Sequence, residues 1–159
     1  MKQVFQNPKS GRTKVEEITP PALKSGGILA RTKFSLISPG TERNIISVSK
    51  KSIIQKARER PDYVAKFLML IKTKGLKAAW EVAKSKLETD IALGYSLSGA
   101  VDAVSADVSE FRVHDRVACA GQNYASHAEI VFAPKNLAVK IPNNVSDEEA
   151  AFTTVGAIV

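Results

Sequence analysis

Apolar and polar residues alternate in two short runs near the start of the chain, at 2–6 and 13–18, with Asn7-Pro8-Lys9-Ser10-Gly11 between them. A period of two marks a half-buried strand, and a cluster of turn formers between two such runs predicts a hairpin. Pro20-Pro21 and Gly26-Gly27 bracket a loop, 28–37 reads as a longer strand, and Ser38-Pro39-Gly40-Thr41 breaks it. The pattern then changes period. Ile45, Ile46, Val48, Ile53, Ile54 and Ala57 recur at helical spacing. Pro61 opens a second helix carrying Val64, Phe67, Leu68 and Ile71, Gly75 ends it, and 76–87 form a third with Ala79, Trp80 and Ala83 inside. Apolar residues at this spacing are usually core, so Ile46, Ile53, Phe67, Leu68, Ile71, Leu76 and Trp80 are expected to pack, with the lysines outward. Strand patterns return at 94–104, 116–120, 127–133 and 137–141. Ser146 and Glu149 have the spacing of a capping box, and the helix they open is expected to run to the end of the chain. The outline is mainly β with a helical insert, an α+β arrangement without internal repeats.

A length of 159 residues suits one domain, and 44% hydrophobic with 25% charged residues excludes a disordered tail or a low-complexity linker. The single cysteine, Cys119, rules out an intrachain disulfide and a four-cysteine metal site, and it reads as a small core residue. The first residues have no apolar run of signal-peptide length, and the most apolar stretch, 63–71, falls far short of the roughly 20 residues of a membrane span. No membrane partner is expected, and the expected location is cytoplasmic. The formal net charge is +7, and its distribution matters more than its size. Between positions 43 and 90 lie 12 of the 23 basic residues but 5 of the 16 acidic ones, which leaves 11 of each elsewhere. The insert 43–90 therefore holds the whole imbalance. It reads either as a solubilising lysine-rich face or as a patch that attracts an acidic substrate or partner. It has no nucleic-acid recognition motif and few aromatic residues, so nucleic acid is not an expected partner.

Several stretches in order carry a resemblance: Ile28-Leu29-Ala30-Arg31-Thr32, Ile37-Ser38-Pro39-Gly40-Thr41-Glu42, Gly94-Tyr95-Ser96-Leu97-Ser98-Gly99, Val108 to Val117 with Phe111, Val113, Asp115 and Arg116, His127-Ala128-Glu129, Val139-Lys140-Ile141-Pro142, and Ser146 with Glu148-Glu149-Ala150-Ala151. Together they resemble the N-terminal GroES-like domain of the medium-chain dehydrogenase/reductases, the zinc-type alcohol dehydrogenase superfamily, and more particularly bacterial bi-domain dehydrogenases of polysaccharide pathways. The resemblance covers nearly all of the chain outside the insert. It implies a partly open β-barrel over 1–159, interrupted by the basic helical insert, and a Rossmann domain for NAD or NADP. No Gly-x-Gly-x-x-Gly occurs here, so the chain is expected to be a fragment that lacks the Rossmann half, is inactive alone and has no cofactor-binding residues of its own.

Zinc members of that family place ligands where this chain has Pro39, Tyr95 and Val155, and none of the three is a usual zinc ligand. The four-cysteine structural lobe is also missing. Zinc is therefore not expected, and family members without it exist. Thr41 stands where the family has the hydroxyl that passes on the substrate proton. Tyr95 stands in place of a ligand histidine, with a phenol able to act as acid or oxyanion donor. Each also has a plain structural reading, Thr41 as a turn residue and Tyr95 as a filler of the space that a metal would take. Glu42, Glu129 and His127 read as structural. His114 replaces the family's glycine in Val113-His114-Asp115-Arg116-Val117, so a tight exposed turn with positive φ is expected there, unless the turn is remodelled.

Two functions follow. One is the substrate-side domain of an NAD(P)-dependent oxidoreductase acting on an alcohol or carbonyl without catalytic zinc, on a small-molecule substrate of acidic or sugar-derived type, in a chain that could form a homo-oligomer. The other is a non-catalytic GroES-like binding module that uses its basic insert to hold an acidic partner.

Overall fold

A computed structural model describes residues 1–8, 10–38, 40 and 61–158. It divides into two units. The first comprises Met1–Phe5, Lys14–Ser38 and Ala92–Val159, and the second Gln6–Thr13 and Pro39–Ile91.

The first unit is built on an antiparallel five-stranded sheet. Its strands are β3 (Gly27–Ser35), β5 (Ser96–Val104), β6 (Arg116–Ala120), β7 (Ile130–Pro134) and β8 (Ala138–Lys140), in the order β7-β3-β5-β6-β8. The period-two pattern does its work here. Ile28 and Ala30 of β3, Leu97 and Val101 of β5, Val117 and Cys119 of β6, and Val131 and Ala133 of β7 turn to one side and are buried together with Phe111 and Ala125. Register shifts between Leu29 and Ala30, and again between Thr32 and Phe34, interrupt the β3–β5 ladder. Such bulges add local bend and twist, and they curl this sheet into a half-barrel. The hairpin is present as β1 (Lys2–Gln6) and β2 (Thr13–Glu17), with the two-residue β4 (Ile91–Ala92) on the other side of β1. Leu93 N–H donates to the Val4 carbonyl at 3.2 Å, and the Met1 ammonium donates to the Ile18 carbonyl at 2.7 Å.

His114 lies in an exposed turn at φ 74, as the comparison with glycine suggests. Its N–H donates to the Val101 carbonyl at 2.9 Å, so the turn keeps its hydrogen bond and accepts the backbone strain. His114→Gly should therefore be neutral or stabilise the chain by up to about 1 kcal/mol. Urea unfolding checks this, and a clear loss of stability would reveal an imidazole contact.

The capping box forms as expected. Ser146 Oγ accepts from Glu149 N–H at 3.1 Å, and the Glu149 carboxylate accepts from Ser146 N–H at 2.9 Å. The helix does not run on, however. It is two single turns, α2 (Asp147–Ala150) and α3 (Thr153–Gly156), with the break at Ala151 and Phe152. At the break the Ser96 hydroxyl, 55 residues away in sequence, donates to the Ala151 carbonyl at 2.6 Å. A second hydroxyl, Ser98, donates to the Asp147 carbonyl at 2.5 Å.

Asp147 also receives Lys33 Nζ and Arg116 Nε, both at 2.9 Å, and its side chain is only 15% exposed. Burial pushes the Asp147 carboxyl up, but the Lys33 and Arg116 hydrogen bonds outweigh it and hold it below the ordinary aspartate value. A lowered carboxyl stabilises the fold above the unfolded pKa of about 4 and loses that contribution as pH falls through the folded value. Melting temperature followed against pH should therefore drop below about pH 4, and Asp147→Asn should flatten that drop.

In the second unit, Asn7 forms a side-chain turn, with its Oδ1 accepting from Ser10 N–H at 2.9 Å, and its Nδ2 donates to Asp90 at 3.0 Å. The helix α1 (Pro61–Glu88) is broken at Gly75, at φ 83 and ψ 161, where the sequence places the end of one helix and the start of the next. Its packing differs from expectation. Phe67 and Ile71 are half-buried and Ala79 is buried, but Leu68, Leu76 and Trp80 are 54%, 65% and 58% exposed. The helical period identifies apolar positions without showing which of them meet a neighbour. Ile46 and Ile53, with the part of the insert before position 61, lie outside the described residues. Among the described residues no helix is long and apolar enough to cross a membrane.

Candidate functional site

Tyr95 immediately precedes β5, and four pieces of the first unit meet around it. Leu36, just past β3, donates its N–H to the Ser96 carbonyl at 3.0 Å. Gly121, just past β6, donates to the carbonyl of Tyr95 itself at 2.9 Å. His127 N–H donates to the Leu93 carbonyl at 2.8 Å, and Ser96 holds the start of the C-terminal turns. The backbone on both sides of Tyr95 is thus fixed from separate strands. Gly94 is essential to that placement. It adopts φ +94, and a Cβ there would lie 2.7 Å from His127 N and 2.9 Å from His127 Nδ1. Only glycine permits both the left-handed backbone and the close approach of the histidine.

Tyr95 is half-buried, and its hydroxyl has no hydrogen-bond partner among the described residues. Val155, from α3, is half-buried and offers only an apolar side chain. Thr41, Pro39 and Glu42 lie outside the described residues, so Tyr95 is the one expected catalytic residue whose surroundings are defined.

The pair behind Tyr95 was not expected as a unit. His127 Nδ1 lies 2.9 Å from Ser35 Oγ, so the histidine has a fold partner, as the reading of it as structural implies. The two line a shallow groove of about 300 Å³ with Lys2, Val4, Thr32 and Glu129. They are 92 residues apart in sequence, and the only nearby signal was Gly94, whose lack of a side chain lets the imidazole in. Glu129 is also structural, since its carboxylate accepts Lys2 N–H at 2.8 Å. Cys119 is buried, and burial pushes its thiol up to about 12, so it supplies no thiolate.

The resemblance puts Tyr95 and Val155 at two of the zinc-ligand positions, and neither side chain is the thiolate, imidazole or carboxylate that zinc usually takes. Among the described residues no three His, Cys, Asp or Glu side chains gather closely enough to hold a metal ion.

No family model matches the chain, and no curated protein matches it. Solved structures do. An alcohol dehydrogenase superfamily protein from Novosphingobium aromaticivorans superposes with a TM-score of 0.67 at 18% identity, over 99% of this chain and 39% of the other. Escherichia coli quinone oxidoreductase, complexed with NADPH, gives 0.62 at 17% identity, over 95% and 36%. Galactitol-1-phosphate dehydrogenase from Escherichia coli gives 0.63 at 17% identity, over 96% and 41%. The chain spans about two fifths of the length of these proteins, and the likeness is one of fold. The chain has the partly open GroES-like β-fold shared by these quinone oxidoreductase and alcohol dehydrogenase structures of the medium-chain dehydrogenase/reductase superfamily.

Proposed function

We propose that the chain forms the substrate-side domain, over 1–159, of an NAD(P)-dependent oxidoreductase that interconverts an alcohol and a carbonyl without zinc. The observation that carries this reading is Tyr95. Tyr95 carries an unpartnered phenol on a backbone held where β3, β5, the turn after β6 and the C-terminal turns meet, and the resemblance puts it in place of a zinc-ligand histidine. The NADPH complex of Escherichia coli quinone oxidoreductase supports the choice of cofactor.

The nicotinamide, held outside this chain, would supply or take up the hydride. The residues of this chain hold and move the proton. In the reductive direction a carbonyl carbon gains hydride, its π pair moves to oxygen, and the Tyr95 O–H gives that oxygen a proton. Thr41, which lies outside the described residues, is the second hydroxyl of this reading; it can donate and accept at once and would pass the substrate proton onward. Oxidation runs the same transfers backwards.

The test uses the polypeptide encoded by the gene that carries this chain. NADH and NADPH oxidation is measured with aldehydes, ketones and quinones, before and after treatment with a strong chelator. Saturable oxidation that survives the chelator is the expected result. Failure of that polypeptide to bind either dinucleotide overturns the reading, and loss of activity with the chelator that zinc restores overturns its zinc-free part.

A further inference from the structure

The helix α1 shows solvent an unusual mixture. Leu68 and Met69 before the break at Gly75, and Leu76 and Trp80 after it, are 54%, 67%, 65% and 58% exposed. Large apolar side chains gathered on a surface usually mark a contact. Lys72 and Lys77 stand among them, both exposed, and neither has an ion-pair partner among the described residues. Within each half of the helix, the two kinds of side chain share a face. Ala65, Leu68, Met69 and Lys72 are three or four residues apart before the break at Gly75, as are Leu76, Lys77, Trp80 and Glu81 after it. The opposite side carries the half-buried or buried Val64, Phe67, Ile71 and Ala79.

We infer that the exposed face of α1 binds the surface of an anionic lipid bilayer. Three features favour lipid over an acidic protein. The cores of protein interfaces are depleted in lysine, whereas here lysines are interleaved with the apolar groups. Lysine suits a bilayer surface, because its alkyl stem lies along apolar material while the ammonium reaches the headgroups. Tryptophan is likewise favoured at the boundary between acyl chains and water, where one edge of the ring is wet and the rest is not. Absence of a membrane span does not bear on this. A helix lying in the plane of the interface needs an apolar side and basic residues, not about 20 apolar residues in a row. The surplus charge of the insert then has a defined use, and this proposal stands independently of the oxidoreductase reading.

Trp80 is the only tryptophan of the chain, so its emission reports directly on this face. The intact chain is titrated with vesicles of phosphatidylcholine alone, with vesicles of phosphatidylcholine and phosphatidylglycerol in roughly equal parts, and with poly-glutamate. The expected result is a blue shift with the anionic vesicles only, reversed by added salt because exposed charges are screened beyond roughly 8 Å at physiological ionic strength. A lysine near an anionic surface contributes about a fivefold gain in partitioning. The double variant Lys72→Gln, Lys77→Gln should therefore bind roughly twenty-five-fold more weakly. Those side chains are exposed, so the variant's thermal melt should match that of the parent. Leu76→Ser should weaken binding at unchanged charge. Absence of a blue shift with anionic vesicles overturns the proposal. So does an equal response to neutral vesicles, and so does binding to poly-glutamate as strong as to the anionic vesicles, which would favour an acidic protein.

Discussion

Gly99→Ala should leave the chain unable to fold, or destabilised by about 3 kcal/mol or more. Gly99 sits inside β5, opposite Thr32 on β3 and Val117 on β6. A Cβ added there would lie 2.1 Å from the Arg31 carbonyl oxygen and 2.9 Å from the Arg31 carbonyl carbon. Both are backbone atoms of a neighbouring strand, so no side chain can swing aside. Relief requires β3 to move. β3 is hydrogen-bonded to β5 on one side and to β7 on the other, and it carries Ile28 and Ala30 into the core. Overpacking a core typically costs 1–3 kcal/mol when side chains give way, and here the backbone would have to. Against a total stability of roughly 5–15 kcal/mol this is a large fraction. Gly156→Ala is the control, because a Cβ there meets nothing within 4 Å and its effect should be within about 0.5 kcal/mol. Urea unfolding of the two variants compares them directly. If Gly99→Ala melts like the parent, the β3–β5 register described here is wrong at Thr32.

Features governed by neighbours in sequence were legible before the fold was. The hairpin at Asn7 to Gly11, the break at Gly75 and the capping box at Ser146 follow from the conformations that particular side chains permit, and the positive φ of His114 follows from the glycine that the resembling family has there. Features governed by distant partners were not. At the split between α2 and α3 the Ala151 carbonyl meets a serine 55 residues earlier, and just before β5 Gly94 meets the His127 imidazole, 33 residues later. The exposure of Leu76 and Trp80 is of the same kind, since a helical period says which residues share a face but not what lies opposite. The candidate site shows the same division. Tyr95 stood out only through its place in Gly-Tyr-Ser-Leu-Ser-Gly and the family that this string resembles, because a lone tyrosine before a strand carries no chemical signal. The Ser35–His127 pair, brought together across 92 residues, had no sequence pattern to announce it.

Tyr95→Phe separates the catalytic role of that residue from a merely space-filling one. Phenylalanine keeps the ring and lacks only the hydroxyl, and the hydroxyl has no protein partner to lose among the described residues. Stability should therefore change little, since no buried hydrogen bond is broken. The backbone should also stay in place, because Gly94, Gly121 and Ser96 hold it through main-chain contacts that the substitution leaves intact. If Tyr95 protonates the reacting oxygen, kcat falls by about a hundredfold to ten-thousandfold, the usual contribution of a positioned acid. KM and dinucleotide affinity should barely move, because the missing interaction forms chiefly as charge develops on the oxygen. A space-filling tyrosine predicts the opposite, with activity retained in Tyr95→Phe and lost, along with stability, in Tyr95→Ala.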